Sequence, residues 1–408
     1  MKTKNALMGL LCVLVFSLTG CQGDALDPGE RETRLVSLSP IVSGIDDGTV
    51  ELGGFEVAFT FVYLPYDLIL PDECDIYMAE DNPVSFKKLV KLQRDKQNTY
   101  QIRNLKNGKA YFFYFVSRKE GYEPLASATV MAVPNKRMNV EYLYTGEGGH
   151  SLSDVAFSPQ RDKIAYVDAS YILDEGKYEA VLISKLDGSD KELLGINALE
   201  PTWSPSGKQV AFRMNETIVL YDCETKTISK LTKDPVFHYS PDFSENGAFL
   251  LFTSDKYANA ANKYDTNIWL MDLATLQTTR LTEGLNACRP KWIDNDRFLF
   301  HANEVDKLSQ LYESSVSGKK VKKVFDSPWN DCCPSASPDG RRIAFISNRS
   351  ALNNVWIYDK INSSYTQICA AAEAEHFYSR WMNIEWLDNA TIAYTLPDNS
   401  LVKVKIPL

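Results

Sequence analysis

Pro201-Thr-Trp203-Ser-Pro-Ser-Gly207 recurs along the chain in recognisable copies. They are Asp154-Val-Ala-Phe157-Ser-Pro159, Pro241-Asp-Phe243-Ser-Glu-Asn-Gly247, Pro290-Lys-Trp292-Ile-Asp-Asn295, Pro334-Ser-Ala336-Ser-Pro-Asp-Gly340 and Asn383-Ile-Glu-Trp386-Leu-Asp-Asn389. From Phe157 onward the anchor residues stand 46, 40, 49, 44 and 50 residues apart. A repeat of roughly 40–50 residues built of strand-type sequence marks the blade of a β-propeller.

The second copy shows the internal order. Pro201-Thr-Trp203 reads as a short inner strand, Ser204 to Gly207 as a turn and Gln209-Val-Ala-Phe-Arg213 as a second strand. Thr217-Ile-Val-Leu-Tyr-Asp222 and Thr227-Ile-Ser-Lys-Leu-Thr232 complete a four-stranded unit. Proline presets φ at one corner of such a turn and glycine accepts a left-handed φ at the last, so Ser-Pro-x-Gly between apolar runs predicts a tight turn. Ala248-Phe-Leu-Leu-Phe-Thr253 with Asn267-Ile-Trp-Leu-Met-Asp272 repeats the order, as does Arg342-Ile-Ala-Phe-Ile-Ser347 with Asn354-Val-Trp-Ile-Tyr-Asp359.

These residues resemble the repeats of TolB-like propellers, which also occur in dipeptidyl-peptidase-type enzymes. The expected fold is therefore an all-β, six-bladed propeller over residues 138–408. The sixth copy supplies three strands before Leu408, and an unpaired edge is something proteins avoid. The missing strand is expected upstream, in Asn139-Val-Glu-Tyr-Leu-Tyr-Thr-Gly146, which would close the ring.

Upstream the rhythm changes. Phe55-Glu-Val-Ala-Phe-Thr-Phe-Val-Tyr63 and Ala110-Tyr-Phe-Phe-Tyr-Phe-Val116 alternate as half-buried strands do. Tyr100-Gln-Ile through Leu105, Gly108, Tyr111, Phe113 and Gly121 resembles the end of a fibronectin type III domain. In that family the Leu and Tyr tie two sheets together at a corner. A fibronectin type III-like β-sandwich is expected at residues 35–134.

Met1-Lys-Thr-Lys4, the apolar run Ala6 to Leu18 and then Leu18-Thr-Gly-Cys21 resemble a bacterial lipoprotein signal of residues 1–21, with Cys21 the lipidated residue. The apolar run is shorter than the roughly 20 residues a spanning helix requires. Gln22 follows Cys21, so nothing resembles an inner-membrane retention signal. The expected location is the outer membrane, on its periplasmic or cell-surface side. Residues 22–34 are polar and aperiodic and read as a flexible tether.

A formal charge of −9 argues against nucleic acid, whose binding rests on cationic contacts with phosphate. No Lys or Arg run suggests an anionic membrane surface, so the lipid is the expected membrane contact. Gly-x-Ser-x-Gly, phosphate-loop and His-Glu-x-x-His motifs do not occur. In peptidases with this type of propeller, catalysis resides in a hydrolase domain, for which these residues leave no room. No cofactor is expected.

Candidate binding residues fall in the connectors that share one face with the channel mouth. They are Tyr171, Tyr239, Tyr257, Tyr264, Arg289, Trp329, Arg349, Tyr378, Arg380 and Trp381. Aromatics and Arg are enriched in interface cores, and aromatic faces also suit sugar rings. The reading is a non-enzymatic scaffold presenting the channel face to a protein or glycan. The alternative is an enzyme resembling oligogalacturonate lyase, with His150, His238 and His376 holding a divalent metal for action on a uronide polysaccharide. These histidines lie 7, 5 and 10 residues before their anchors, so they are not equivalent positions, and solvated or hydrogen-bonded loop roles fit them better. Cys288 and the Cys332-Cys333 pair occupy corresponding connectors and form a candidate disulfide set. An exported compartment would permit the bond.

Overall fold

The structure of the protein, a computed structural model, describes residues 41–45, 52–58, 71–93, 99–134, 138, 140–144, 152–173, 176–258, 265–303, 308–318, 320–350, 352–368, 383–396 and 398–406. Among the described residues every regular element is a strand. The chain divides into two compact units, one holding residues 1–136 and the other most of residues 137–408.

The first unit contains two antiparallel sheets. Ile41–Ile45, Leu52–Ala58 and Thr99–Lys106 form one; Glu73–Glu80, Lys87–Gln93, Tyr111–Arg118, Leu125–Ala126 and Val130–Ala132 form the other. Ile102 and Leu105 of the first sheet share a core with Cys74, Ile76, Leu92, Phe113 and Phe115 of the second. The Tyr111 hydroxyl, itself buried, accepts the Lys106 N–H at 3.0 Å and pins the chain where it passes between the sheets.

The second unit is six four-stranded antiparallel sheets, each ordered from an inner to an outer strand. Blade one comprises Leu152–Phe157, Lys163–Leu173, Gly176–Lys185 and Glu192–Ile196; blade two Ala198–Trp203, Gln209–Met214, Thr217–Asp222 and Thr227–Lys230. Blade three is His238–Phe243, Phe249–Ser254, Asn267–Asp272 and Thr278–Arg280, and blade four Ala287–Trp292, Arg297–Ala302, Gln310–Ser315 and Lys322–Lys323. Blade five is Asp331–Ala336, Arg342–Ser350, Leu352–Asp359 and Ser364–Gln367. Blade six joins Glu385–Asp388, Thr391–Thr395 and Leu401–Lys405 to Val140–Tyr144, the strand that precedes blade one. The inner strands of blades one and six lie in contact, so the ring is closed.

Each repeated residue has a bonding task. Ser158, Ser204, Ser244 and Ser337 follow the anchors, and each hydroxyl accepts the N–H five residues on, at 2.9–3.1 Å. Gly207, Gly247 and Gly340 close the same turns at φ 68–69°, a region that penalises a Cβ. Asp222 and Asp272 cap the turn to the outer strand by accepting N–H groups two and three residues on. Thr232 and Thr282 accept the N–H of Ile218 and Ile268, which fixes the chain where it leaves the outer strand.

Blades are joined by apolar cores such as Ala211, Phe243, Leu250 and Phe252 between blades two and three. Burying one such Phe contributes about 1.5–3 kcal/mol. The indoles of Trp203, Trp292 and Trp386 add a directed tie, donating to the Ala156, Asp242 and Ser335 carbonyls of the preceding blade at 3.2, 3.1 and 3.0 Å. Blades one, three and five carry Phe157, Phe243 and Ala336 at that position, so the indole tie falls on every second seam.

Candidate functional site

Two surfaces are available for function, the axial channel and the mouth where the inner strands begin. The channel wall is built by a local irregularity of the inner strands. In blades one to five the register slips three residues before the anchor, and the residue there takes a left-handed φ of 51–59°. Those residues are Asp154, Glu200, Ser240, Arg289 and Cys333, and Asn383 is the sixth-blade equivalent. A bulge of this kind re-aims a side chain out of the ladder.

Arg289 of blade four crosses the channel. Its guanidinium stands 3.7 Å from Asp154 of the opposite blade and 3.5 Å from Glu200. Glu200 in turn accepts the Ser240 N–H and hydroxyl at 2.8 and 2.9 Å. One step toward the turns, Lys291 pairs with Asp242 at 2.9 Å. Between Asp154, Glu200, Ser240, Arg289, Lys291 and Asn383 remains a cavity of about 20 Å³, space for a single water.

Asp154 is 1% exposed, and among the described residues neither carboxylate oxygen has a hydrogen-bond donor. Burial pushes its carboxyl up to about 7, with Glu200 adding to the rise and Arg289 opposing it. The folded pKa thus lies above the ordinary carboxyl value of 3.8, so folding takes up a proton between pH 3.8 and about 7. Stability is expected to fall as pH rises through that window and to level off above it. Asp154→Asn should flatten this limb, read from urea midpoints against pH. An unchanged slope would mean that Asp154 is ionised throughout.

The mouth carries the apolar surface. Ile172 and Leu173 at the tip of the blade-one hairpin are 72% and 39% exposed, Phe237 44%, Tyr257 47% and Leu308 45%. Leu276 and Ile361 are the exposed large apolar residues described in the turns of the opposite face. Tyr257 stacks on Trp269, and the Arg280 guanidinium lies 4.4 Å from its ring. Tyr239 is half-buried opposite Thr253, and Tyr171 is half-buried opposite Tyr178.

Arg349 is not a surface residue. It is 1% exposed, pairs with the fully buried Asp331 at 2.8 Å, and lies within 5.5 Å of the rings of Phe325, Trp329, Phe345, Trp356 and Tyr365. These rings enclose the guanidinium, and of the candidate binding aromatics Trp329 is among them, half-buried as one wall. His238 is likewise buried, edge-on to Phe252. Tyr264, Tyr378, Arg380, Trp381, His150, His376 and Cys21 lie outside the described residues. Cys288, Cys332 and Cys333 are free thiols near the junction of blades four and five. Among the described residues no group of His, Cys, Asp and Glu is placed to hold a metal ion.

The channel ring was not anticipated from the sequence. Its signal is the position three before each anchor, where the residue type changes from blade to blade while the flanking motif persists.

No family model matches the chain. It is similar to a TolB homologue from Chlorobium chlorochromatii, 29% identical over 147 residues that make up 35% of this chain and 32% of the relative. It is also similar to the Tol-Pal system protein TolB of Francisella tularensis subsp. holarctica, 23% identical over 303 residues, 69% of this chain and 64% of that protein. Among solved structures, TolB from Acinetobacter baumannii matches at a TM-score of 0.44 and 18% identity, covering 73% of this chain and 77% of that one. The chain thus spans about one third and two thirds of the length of these two curated relatives. The propeller is TolB-like.

Proposed function

We propose that the chain is a non-enzymatic, lipid-anchored envelope protein whose propeller presents its channel face to a protein ligand. The observation that carries this reading is the gathering of Ile172, Leu173, Phe237, Tyr257 and Leu308 on the mouth face. Exposed aliphatic side chains gain more from a protein surface than from a sugar, which favours protein over glycan. The similarity to proteins of the Tol-Pal system supports the same compartment and the same kind of partner. The sandwich of residues 35–134 is read as a fibronectin type III-like spacer or second contact, supported by the Tyr111 corner. Residues 1–21 are read as the lipoprotein signal, 22–34 as the tether and 138–408 as the propeller, on the periplasmic or the outer side of the outer membrane.

Binding is tested by immobilising the chain and measuring affinity for partners cross-linked to it in envelope extracts. Phe237→Ala and Tyr257→Ala should each weaken binding by about 2 kcal/mol, roughly 30-fold. Ser206→Ala and Asp339→Ala, on the turn face, should leave it unchanged. Loss of binding on deleting residues 35–134, with the aromatic variants neutral, would make the sandwich the reader. A Mn²⁺-dependent rise in ultraviolet absorbance from uronide polymers would replace the scaffold reading with the lyase reading.

The anchor has its own test. Cys21→Ala protein is expected to leave the membrane fraction and to take up no labelled palmitate. Retention of both properties would remove the lipid anchor from the proposal.

A further inference from the structure

A groove of about 690 Å³ opens on blade six, away from the channel. Its cause is a missing turn. The link between first and second strands takes residues 158–162, 204–208, 244–248, 293–296 and 337–341 in blades one to five, but only Asn389 and Ala390 in blade six. The longer turns lie over their neighbours, Gly207 approaching Gln160, Gly247 approaching Pro205 and Gly340 approaching Ile293. The two-residue turn is too short for this, and Leu387, Ala390 and Val140 stand half-buried in the groove wall.

The polar groups of the groove are not equivalent. Leu401, Lys403 and Lys405 alternate onto one face of their strand; Leu401 enters the core of blades six and one, and the two lysines carry that face into the groove. Lys403 is already neutralised, its ammonium 2.9 Å from Glu141 on the closing strand. Asp388 is committed as well, its carboxylate accepting the Ala390 N–H at 2.7 Å. Thr391 and Lys405 stand directly opposite each other in the ladder, and among the described residues neither side chain has a hydrogen-bond or ion-pair partner.

The groove therefore offers one uncompensated ammonium and one free hydroxyl beside an apolar wall. Two adjacent donors, one of them charged, match the two oxygens of a carboxylate. A phosphate monoester, with nearly two negative charges, would meet Glu141 and Asp388 with a single cation to offset them. We propose that this groove binds a carboxylate with an apolar body, its acid group on Lys405 and Thr391 and its body along Leu387, Ala390 and Val140. A free fatty acid and a peptide ending in an apolar residue share this chemistry.

The test titrates the full chain by calorimetry with octanoate and with an acetylated tetrapeptide ending in leucine, against octanol and the C-terminally amidated peptide. An acid that binds should do so at least about tenfold more tightly than its neutral counterpart, the worth of one charge-assisted hydrogen bond. Binding of octanoate alone assigns the groove to a lipid-derived acid, and binding of the peptide alone to a chain terminus. Lys405→Met should lower the affinity about tenfold and Thr391→Val about threefold. Lys208→Met, on the blade-two turn, should leave it unchanged. Lys405 is exposed, so its variant keeps the fold while it removes the ammonium. Octanol binding as tightly as octanoate, full affinity in Lys405→Met, or no binding of either acid at millimolar concentration would each overturn the assignment.

Discussion

Deleting residues 139–145 is expected to unfold the propeller under conditions where the parent is native. Val140–Tyr144 is the outer strand of blade six, in register with Leu401 to Val404, and Glu141 pairs with Lys403 at 2.9 Å. Val140 packs on the core of blades five and six, Leu143 and Tyr144 on that of blades six and one. The deletion removes ladder bonds and apolar cover, and it frees the edge of Leu401–Lys405. Because this strand joins the two ends of the ring, its loss could approach the roughly 5–15 kcal/mol that stabilises a whole domain. The control is removal of the outer strand Thr227–Lys230, exposed at every residue, which leaves the ring closed. Thermal and urea melts of the three proteins provide the measurement. A deletion of 139–145 that melts within a few degrees of the parent would show that the ring does not depend on this strand.

Asp331→Ala is expected to cost about 3–5 kcal/mol, because it strands a buried cation. Asp331 is 0% and Arg349 1% exposed, and among the described residues the Asp331 carboxylate is the charged partner of that guanidinium, Ser347 Oγ being neutral at 2.9 Å. The surrounding rings attract the cation through their faces but do not neutralise it. Replacing both members, as Asp331→Leu with Arg349→Met, should recover most of the loss, since an apolar pair of similar volume requires no desolvation of charge. Urea midpoints of the single and double variants give the comparison. A loss below about 1 kcal/mol for Asp331→Ala would mean that water reaches the pair.

The blades were legible because their turns are chemically specific. Ser204, Pro205 and Gly207 act within a few residues of one another, so the motif that builds the turn is contiguous in sequence. The closing strand was legible by the same logic, as an outer-strand pattern without a blade of its own. Arg349 misled because an Arg among aromatics has one composition whether it faces a partner or fills a core. What separates the two readings is Asp331, 18 residues away and joined to Arg349 only after Asp331–Ala336 and Arg342–Ser350 pair. The channel ring was hidden for a related reason. Asp154, Glu200 and Arg289 carry no local pattern, and their meeting depends on blades one, two and four facing a common axis.

The indole ties on alternate seams give the disc a grain. Between blades one and two, three and four, and five and six, a neutral N–H reaches a carbonyl, a link that neither acid nor added salt dissolves. Charged groups cross indole-tied and untied seams alike: Lys226 meets Glu192 at 2.6 Å between blades one and two, Lys291 meets Asp242 at 2.9 Å between three and four, Lys360 meets Glu313 at 3.1 Å between four and five, and Arg161 reaches the Trp386 carbonyl at 3.0 Å between six and one. Added salt screens the ion pairs among these contacts. In high salt the three indole-tied seams therefore keep a directed, uncharged bond, which gives the ring a three-fold pattern of fixed seams.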